Sequence, residues 1–504
     1  MRLFIDGEEL INRYYVQTLC MLYFPGAKFS QDEEITASTP VVHLAVHETE
    51  GVSFLAEASL TVGERQLHAR RERLYNRRTT EERMRKIAVG AAIGEVCSAY
   101  LGYRPSWGML TGVRPSKVAM EMLLEGDAPG EVERRLVEEY QVIPKKAALA
   151  VQVARNEQKL IGTPDKRDCS VYISIPFCPT RCAYCSFVSY TSARLLSLIP
   201  DYLVKLEREI HEMFETIRYL GLRVRTVYIG GGTPTVLTPV QLESLLGVIT
   251  RETDISALEE FTLEAGRPDT IDAEKLAVAR AFGVGRISVN PQSLCPEVLQ
   301  GIGRSHTVEA FYRAYDVAVK SGIPIINSDL IVGLPKDSFS TFSATFDKVA
   351  ALAPANITVH TFCVKKSAEI LQTMEHIYSI YGGDAGKCVD YSQIRAAQEG
   401  YIPYYMYRQK NTVGNFENVG FAKPGTEGRY NIYMMEEVHS IFAAGAGAVT
   451  KLVDYVPAGK GRSTIRRLFN PKYPYEYLRE DGSAEMRAAA EQFYAQKVFS
   501  EETY

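Results

Sequence analysis

The sequence predicts an α/β fold: an incomplete barrel of six strand–helix units, with an N-terminal α+β domain and a C-terminal cap region. Three features predict it. Between residues 168 and 362, apolar β-branched runs alternate with helical stretches, as in a parallel sheet built from crossover connections. The runs are nearly continuous in apolar residues, as strands covered on both faces are. Beyond residue 400 the alternation is lost, which leaves too few units for a closed eight-strand barrel.

The strands read, in order, as VYISIPF (171–177), VRTVYIGGG (224–232), FTLEAG (261–266), RISVNPQS (286–293), IPIINSDLIVGLP (323–335) and NITVHTF (356–362). Between them lie PDYLVKLEREIHEMFETIRYLG, TPVQLESLLGVITRE, DAEKLAVARAFG, TVEAFYRAYDVAVKSG and DSFSTFSATFDKVAAL, which space their apolar residues as amphipathic helices do. Several end in a glycine suited to the position just past a helix.

The flanks differ in pattern, so residues 1–165 read as a separate α+β domain, 166–400 as the barrel core, and 401–504 as a cap region dense in Tyr, Gly and Asn. The basic segment RQLHARRERLYNRRTTEERMRK (65–86) reads as the solvated face of helical structure, because acidic residues interleave with the basic ones. WGMLTGVRPSK (107–117), which holds the single tryptophan, reads as a loop entering a helix at Pro115.

Composition excludes several classes of function. A net charge of −4 gives no global attraction to nucleic acid, and none is expected as a partner. Nowhere do about eighteen apolar residues run together, so no membrane span is expected. The start, MRLFIDGEEL, lacks the basic and apolar regions of a signal peptide. Nine scattered cysteines, an odd number, do not form a disulfide framework, and the expected compartment is the reducing cytoplasm.

Within IPFCPTRCAYCSF, Cys178, Cys182 and Cys185 directly follow the first barrel strand. They lie at the C-terminal edge, where parallel α/β sheets place their chemistry. The loop is short, so its sulfurs converge at little entropic cost. A structural zinc requires a fourth ligand from a second paired motif, which the chain lacks. Three thiolates suit an iron–sulfur cluster with one iron left open. Zinc and an inert turn of buried thiols stand as the alternatives.

The C-x3-C-x2-C spacing after a first barrel strand resembles the radical S-adenosylmethionine (SAM) superfamily. That resemblance implies a [4Fe-4S] cluster held by Cys178, Cys182 and Cys185, with its open iron chelated by SAM. It also implies a reductant such as flavodoxin or ferredoxin, whose electron releases a 5′-deoxyadenosyl radical. GGGTPT (230–235), LEAGRPD, RISVNPQS, IGRSHT and INSDLIVGLP match further motifs in chain order. Together they resemble the oxygen-independent coproporphyrinogen III oxidase subgroup, as do ENVGFAKPG and GRYNIYMM further on. The N-terminal extension and VHTFCVKKSAEI resemble its HemZ-type branch.

Carried over residue by residue, the resemblance gives Tyr172 a contact with SAM or the substrate, and packs Tyr184 on the adenine. Gly231, Gly232 and Thr233 touch the cofactor, with bare backbone N–H groups available to it. Glu264, Gln292, Arg304 and Asp329 hydrogen-bond its ribose or amino acid groups. The implied reaction is oxidative decarboxylation of coproporphyrinogen III to protoporphyrinogen IX. A tetrapyrrole bearing propionates requires fixed cations, for which Lys365, Lys366, Arg408 and Lys410 are candidates; a solvated basic loop is the other reading.

Two positions depart from the oxidases. Phe187 stands where they carry a fourth cysteine that is not a ligand and where haem-chaperone relatives carry Phe. Ser174 stands where they carry a histidine, a suggested proton donor. The chaperones' own histidine- and tryptophan-containing segment falls on YNIYMM, with Tyr430 and Met435 in those two places. A haem-binding carrier, and a radical methyltransferase or ring-opening enzyme acting on a tetrapyrrole, are the alternative functions.

Overall fold

The structure, a computed structural model, describes residues 1–29, 34–75, 79–112, 114–185, 189–363, 383–409, 412–457 and 463–499. The N-terminal sheet comprises β1 (Arg2–Asp6), β2 (Val41–Thr49), β3 (Ser53–Val62) and β4 (Arg65–Leu74), paired in that order. Only β1 and β2 run parallel. Period-two alternation buries Val42, Leu44 and Val46 of β2 with Phe54, Ala56, Ala58 and Leu60 of β3. The helix Glu81–Leu101 covers that face. Its Gly90 lets it pack closely, since a Cβ there would meet the Met109 sulfur at 2.7 Å.

The basic segment 65–86 is therefore not helical throughout. Residues 65–74 form the edge strand β4, whose alternate side chains leave Arg70 in water while Arg71 pairs with Glu95 of the covering helix. Strand pairing with β3 overrides the helical reading, which rested on charge pattern alone. Three further helices, Pro115–Leu124, Pro129–Glu138 and Pro144–Ile161, each start on a proline whose missing N–H costs nothing there.

The barrel core forms β5 (Asp168–Ile175), β6 (Arg223–Gly231), β7 (Glu260–Leu263), β8 (Arg286–Ser288), β9 (Ile325–Val332) and β10 (Asn356–Thr361), all parallel. The five connecting helices stand where the apolar spacing put them. In Ile199–Tyr219, for example, Tyr202, Leu206, Ile210, Met213 and Ile217 face inward. Side-chain caps set several helix starts, with reciprocal Thr238–Gln241 and Ser338–Thr341 pairs at two of them.

Beyond residue 400 the chain does not fold as a separate cap. Instead β11 (Ile402–Tyr407) and β12 (Asn418–Ala422) extend the sheet beside β10, with β12 antiparallel to it. The chain then crosses to the other edge, where β13 (Ser440–Ala444) runs parallel to β5 and is followed by β14 (Val449–Asp454) and β15 (Thr464–Phe469). The result is one open eleven-stranded sheet, β11-β12-β10-β9-β8-β7-β6-β5-β13-β14-β15. The described residues beyond 400 are thus divided between the two sides of the six-strand core. The physical reason is that an unclosed six-strand core leaves two rows of backbone groups to be satisfied.

A buried ion pair joins the N-terminal domain to this sheet. Glu417 accepts hydrogen bonds from Lys146 Nζ at 2.5 Å, Trp107 Nε1 at 2.7 Å and Gln393 Nε2 at 2.7 Å. Lys146 and Glu417 are each 1% exposed. Glu417→Gln strands the Lys146 charge and is expected to cost about 3–5 kcal/mol, whereas pairing it with Lys146→Met should restore most of the loss. Urea unfolding followed by fluorescence of Trp107, the chain's one tryptophan, checks this locally; equal midpoints for the single and double variants would contradict it.

Candidate functional site

The loop after β5 carries the three cysteines and is fixed through its backbone. Cys178 N–H donates to Tyr190 O at 3.1 Å, Ala183 N–H to Ile302 O at 3.0 Å, and Cys185 N–H to Cys182 O at 3.0 Å. Cys178 and Cys182 are buried and Cys185 half-buried. Burial, opposed by the Thr233 hydroxyl 3.2 Å from its sulfur and reinforced by the charges of Cys185 and Cys182, pushes the Cys178 thiol up to about 11. Iron bound to the sulfur reverses that preference.

Two buried arginines face the same sulfur. Arg267 Nη1 lies 3.5 Å and Arg304 Nη1 3.7 Å from Cys182 Sγ. Arg304 also donates to Tyr184 Oη at 3.1 Å, Gly266 O at 2.6 Å and Asn290 O at 2.7 Å, tying the loops after β5, β7 and β8 together. Arg267 reaches the Thr180 hydroxyl and Asp269. Two fixed cations offset the charge that three thiolates would gather. Among the described residues no three His, Cys, Asp or Glu are grouped tightly enough to ligate one ion. A cluster takes each thiolate on a separate iron, so it does not require the three sulfurs to meet on one ion. Of the other cysteines, Cys20, Cys97, Cys169 and Cys388 are buried, and Cys295 and Cys363 are half-buried.

The glycine turn after β6 serves a different purpose from the one expected. Gly232 N–H donates to Ile175 O and Thr233 N–H to Phe177 O, both at 2.8 Å, so these groups are committed to the cysteine strand. A Cβ on Gly232 would stand 2.5 Å from Phe177 O, and Gly231 adopts φ +114°. The glycines let two strands approach, and the N–H groups of Gly232 and Thr233 are taken up in doing so.

Behind the cysteine loop a layer of polar side chains lines the sheet, contributed by successive strands and the loop after β8. Tyr172 and Tyr228 stack at 6.1 Å, and Tyr228 stacks on Tyr430 at 4.7 Å. Glu264 comes directly after β7, its carboxyl pushed up to about 8 by burial and by the charge of Asp329, against a backbone N–H from Gly231. Asp329 on β9 behaves oppositely. Burial alone would raise it, but hydrogen bonds from His360, Asn327 and Thr358 hold it below the usual carboxylate range. Asn290 Nδ2 donates to it at 2.8 Å, and His360 Nε2 lies 3.7 Å away. Tyr407 Oη is 3.2 Å from His360 Nδ1.

Gln292 holds φ +62°, uncommon for a residue with a side chain. Its backbone bonds Asp329 and Ile331, while its Oε1 is buried without a partner, as is His306 Nε2. Such orphaned atoms beside the sulfurs and Asp329 fit a polar ligand seated there. Nine predicted cofactor contacts and three cysteines thus gather at one edge of the sheet.

The predicted substrate cations do not. Lys365, Lys366 and Lys410 lie outside the described residues, as does Phe187. Arg408 is buried, donates to Leu110 O at 2.7 Å and lies over the Trp107 ring, its charge form disfavoured by burial. It braces the N-terminal domain and is neither a solvated loop residue nor a cation offered at the mouth. Arg267, Asn290, Tyr228 and His360 escaped the sequence reading. Arg267 sits within LEAGRPD and Tyr228 within VRTVYIGGG, so both stood inside stretches already singled out.

Residues 172–349 match the sequence pattern of the radical SAM superfamily. The chain is 37% identical over 385 residues to the oxygen-independent coproporphyrinogen-III oxidase-like protein HemZ of Bacillus subtilis, covering 75% of each. It is 30% identical to the haem chaperone HemW of the same organism, covering 62% of this chain and 79% of that one. The structure of the coproporphyrinogen III oxidase HemN of Escherichia coli, a radical SAM enzyme, shares the fold at a TM-score of 0.50 and 22% identity, over 65% of this chain and 72% of that one. The cysteine loop, the matched pattern and the extent of the HemZ likeness together make this chain a member of the radical SAM superfamily, in its oxygen-independent coproporphyrinogen-III oxidase-like group, with a [4Fe-4S] cluster and SAM as its cofactors.

Proposed function

We propose that the chain acts on a propionate-bearing tetrapyrrole, decarboxylating coproporphyrinogen III oxidatively to protoporphyrinogen IX. The observation that carries this reading is the polar, tyrosine-walled layer directly behind the cysteine loop. Bound together and reduced, the cluster and SAM supply a 5′-deoxyadenosyl radical that takes a hydrogen atom from the substrate. The rest of the work belongs to the chain. Tyrosine rings offer flat apolar faces with polar tips, which suits a pyrrole ring system. Near neutral pH Glu264 is protonated and donates, while Asp329 is ionised and accepts. Two carboxyls with separated roles can thus orient a diol or an amino acid group.

Ser174 does not weaken the reading. Its hydroxyl is turned to Ala446 O at 2.9 Å, so it moves no proton toward the site. Loss of carbon dioxide from the substrate radical, with one electron passed to a one-electron acceptor outside the chain, would yield a vinyl group without any proton from the protein. The haem-carrier alternative has less support, because Tyr430, at the position of the carriers' histidine, is buried against Tyr228.

Cys178→Ala, Cys182→Ala and Cys185→Ala should each forfeit the roughly four irons per chain of the reconstituted protein, by iron and sulfide analysis. Replacing Cys20, Cys97, Cys169, Cys295, Cys363 or Cys388 should leave the iron in place. Glu264, raised above its ordinary value, contributes stability that is complete below about pH 4.5 and is lost as pH rises through about 8. Glu264→Gln should therefore melt near the parent at low pH and increasingly above it toward pH 9, by a few kcal/mol at ~1.4 kcal/mol per unit. Thermal scans of the apoprotein check this, and a pH-independent gap would refute it.

The reaction itself is tested by anaerobic incubation with coproporphyrinogen III, SAM and a reductant, with products weighed by mass spectrometry. Stepwise loss of two carboxyl groups is expected. Deoxyadenosine without decarboxylated product, under conditions where an authentic oxidase works, would exclude this substrate.

A further inference from the structure

A second buried carboxyl joins the N-terminal domain to the sheet, and unlike Glu417 it is left unsatisfied. Glu157, on the helix Pro144–Ile161, is 0% exposed, and neither side-chain oxygen has a hydrogen-bond partner among the described residues. The Ser116 hydroxyl, buried as fully on the helix Pro115–Leu124, faces the same carboxyl and is also unpartnered. Packed against the Glu157 helix is the helix Arg429–Glu436. The side chain of its last residue, Glu436, is 8% exposed, with Oε1 unpartnered.

The cations nearby are engaged elsewhere. Arg114 donates to Met435 O and, at 3.1 Å, to Glu437 Oε2, and it lies 3.8 Å from Glu436 Oε1. The Lys117 charge favours ionisation of Glu436, while Glu437 and Glu121 oppose it. Lys451 lies 3.6 Å from Glu437. Of all these charges only Arg114 and Glu436 reach Glu157, with opposite effects; burial, and after it the Glu436 charge, push its carboxyl well above the ordinary range. A metal ion does not answer the deficit. Among the described residues no three acids, histidines or cysteines are grouped to ligate one, and Arg114 would repel it.

We propose that Glu157 and Glu436 form a proton-gated latch: the N-terminal domain closes on the helix Arg429–Glu436 with one proton held on Glu157, and opening releases that proton. The latch acts on the candidate site through this helix. Its first N–H groups, of Arg429 and Tyr430, are held by Glu260, and Tyr430 stacks on Tyr228 in the polar layer. Closing excludes water from two carboxyls at once, which is tolerable only while one of them is neutral. Because Glu157 is raised, the stability it gives is complete below about pH 4.5 and is lost as pH rises through its raised value. Within that window the open form ionises and the closed form does not, so opening becomes about tenfold easier per pH unit.

Hydrogen–deuterium exchange of the reconstituted protein between about pH 6 and about pH 8, corrected for the intrinsic pH dependence of exchange, tests this on residues 144–161 and 429–436. Both helices of the parent should lose protection about tenfold per unit. Glu157→Gln, which mimics the protonated carboxyl, should flatten the response and leave both helices better protected than in the parent at the upper pH. Glu157→Met fills similar space without a charge and must flatten it too, so a fold that rejects glutamine does not decide the matter. Infrared difference spectra of parent against variant at neutral pH should show one protonated carboxyl lost. Protection in the parent that ignores pH would overturn the latch. So would a slope that survives in both variants, or a parent spectrum in which Glu157 is ionised.

Discussion

The carboxylate of Glu417 is the constraint on which the assembly turns. A buried charge is costly unless paired and hydrogen-bonded, and this one is both. Burial would raise it, yet the neighbouring Lys146 charge, with hydrogen bonds from Lys146 and Trp107, holds it ionised. The same residue also works through its backbone: Glu417 O accepts from the Thr361 hydroxyl at 2.7 Å, and Asn418 Oδ1 accepts the Thr361 N–H at 2.8 Å. One short segment therefore docks the N-terminal domain and fixes the end of β10, next to His360. The reactive edge and the accessory domain are not mechanically independent.

Electrostatics at that edge follow one logic. Positive charge is placed where anionic sulfur collects, and each guanidinium is held by carbonyls or hydroxyls from other loops, so its position is set before anything binds. The carboxyls are set apart by their partners. Asp329 is surrounded by donors, whereas Glu264 meets mainly tyrosines and a neighbouring negative charge. Their different proton affinities come from these surroundings and not from residue type.

The six core strands, their helices and the cysteine loop were legible because each follows from local periodicity or spacing. What lay beyond was set by pairing between distant segments. RQLHARRERL carries a charge pattern compatible with a helix, and only its registry with β3 makes it a strand. IPYYMY and SIFAA are short apolar runs whose places, on opposite sides of the six-strand core, depend on which edges that core leaves open. Arg408 shows the same limit at a single residue. Its type suggested a ligand cation, but one residue past the end of β11 it is turned toward Leu110 and Trp107. Glu264 and Asp329 could be found from acids at the ends of apolar strands; their opposite protonation could not, because it depends on neighbours from other strands.

The division of the last hundred residues between both sheet edges has a consequence for biosynthesis. β5, which leads into the cysteine loop, pairs with β6 on one side but with β13, residues 440–444, on the other. Trp107 waits similarly for Glu417, 310 positions later. At the ribosome's pace of about 5–20 residues per second, the outer edge of β5 stays uncovered for on the order of ten seconds to a minute after that strand is made. The nascent chain passes through a stage with its core strands available, its cysteine loop complete and one flank still unpaired. This is an interval in which chaperones and cluster-delivery proteins meet a different surface from that of the finished molecule.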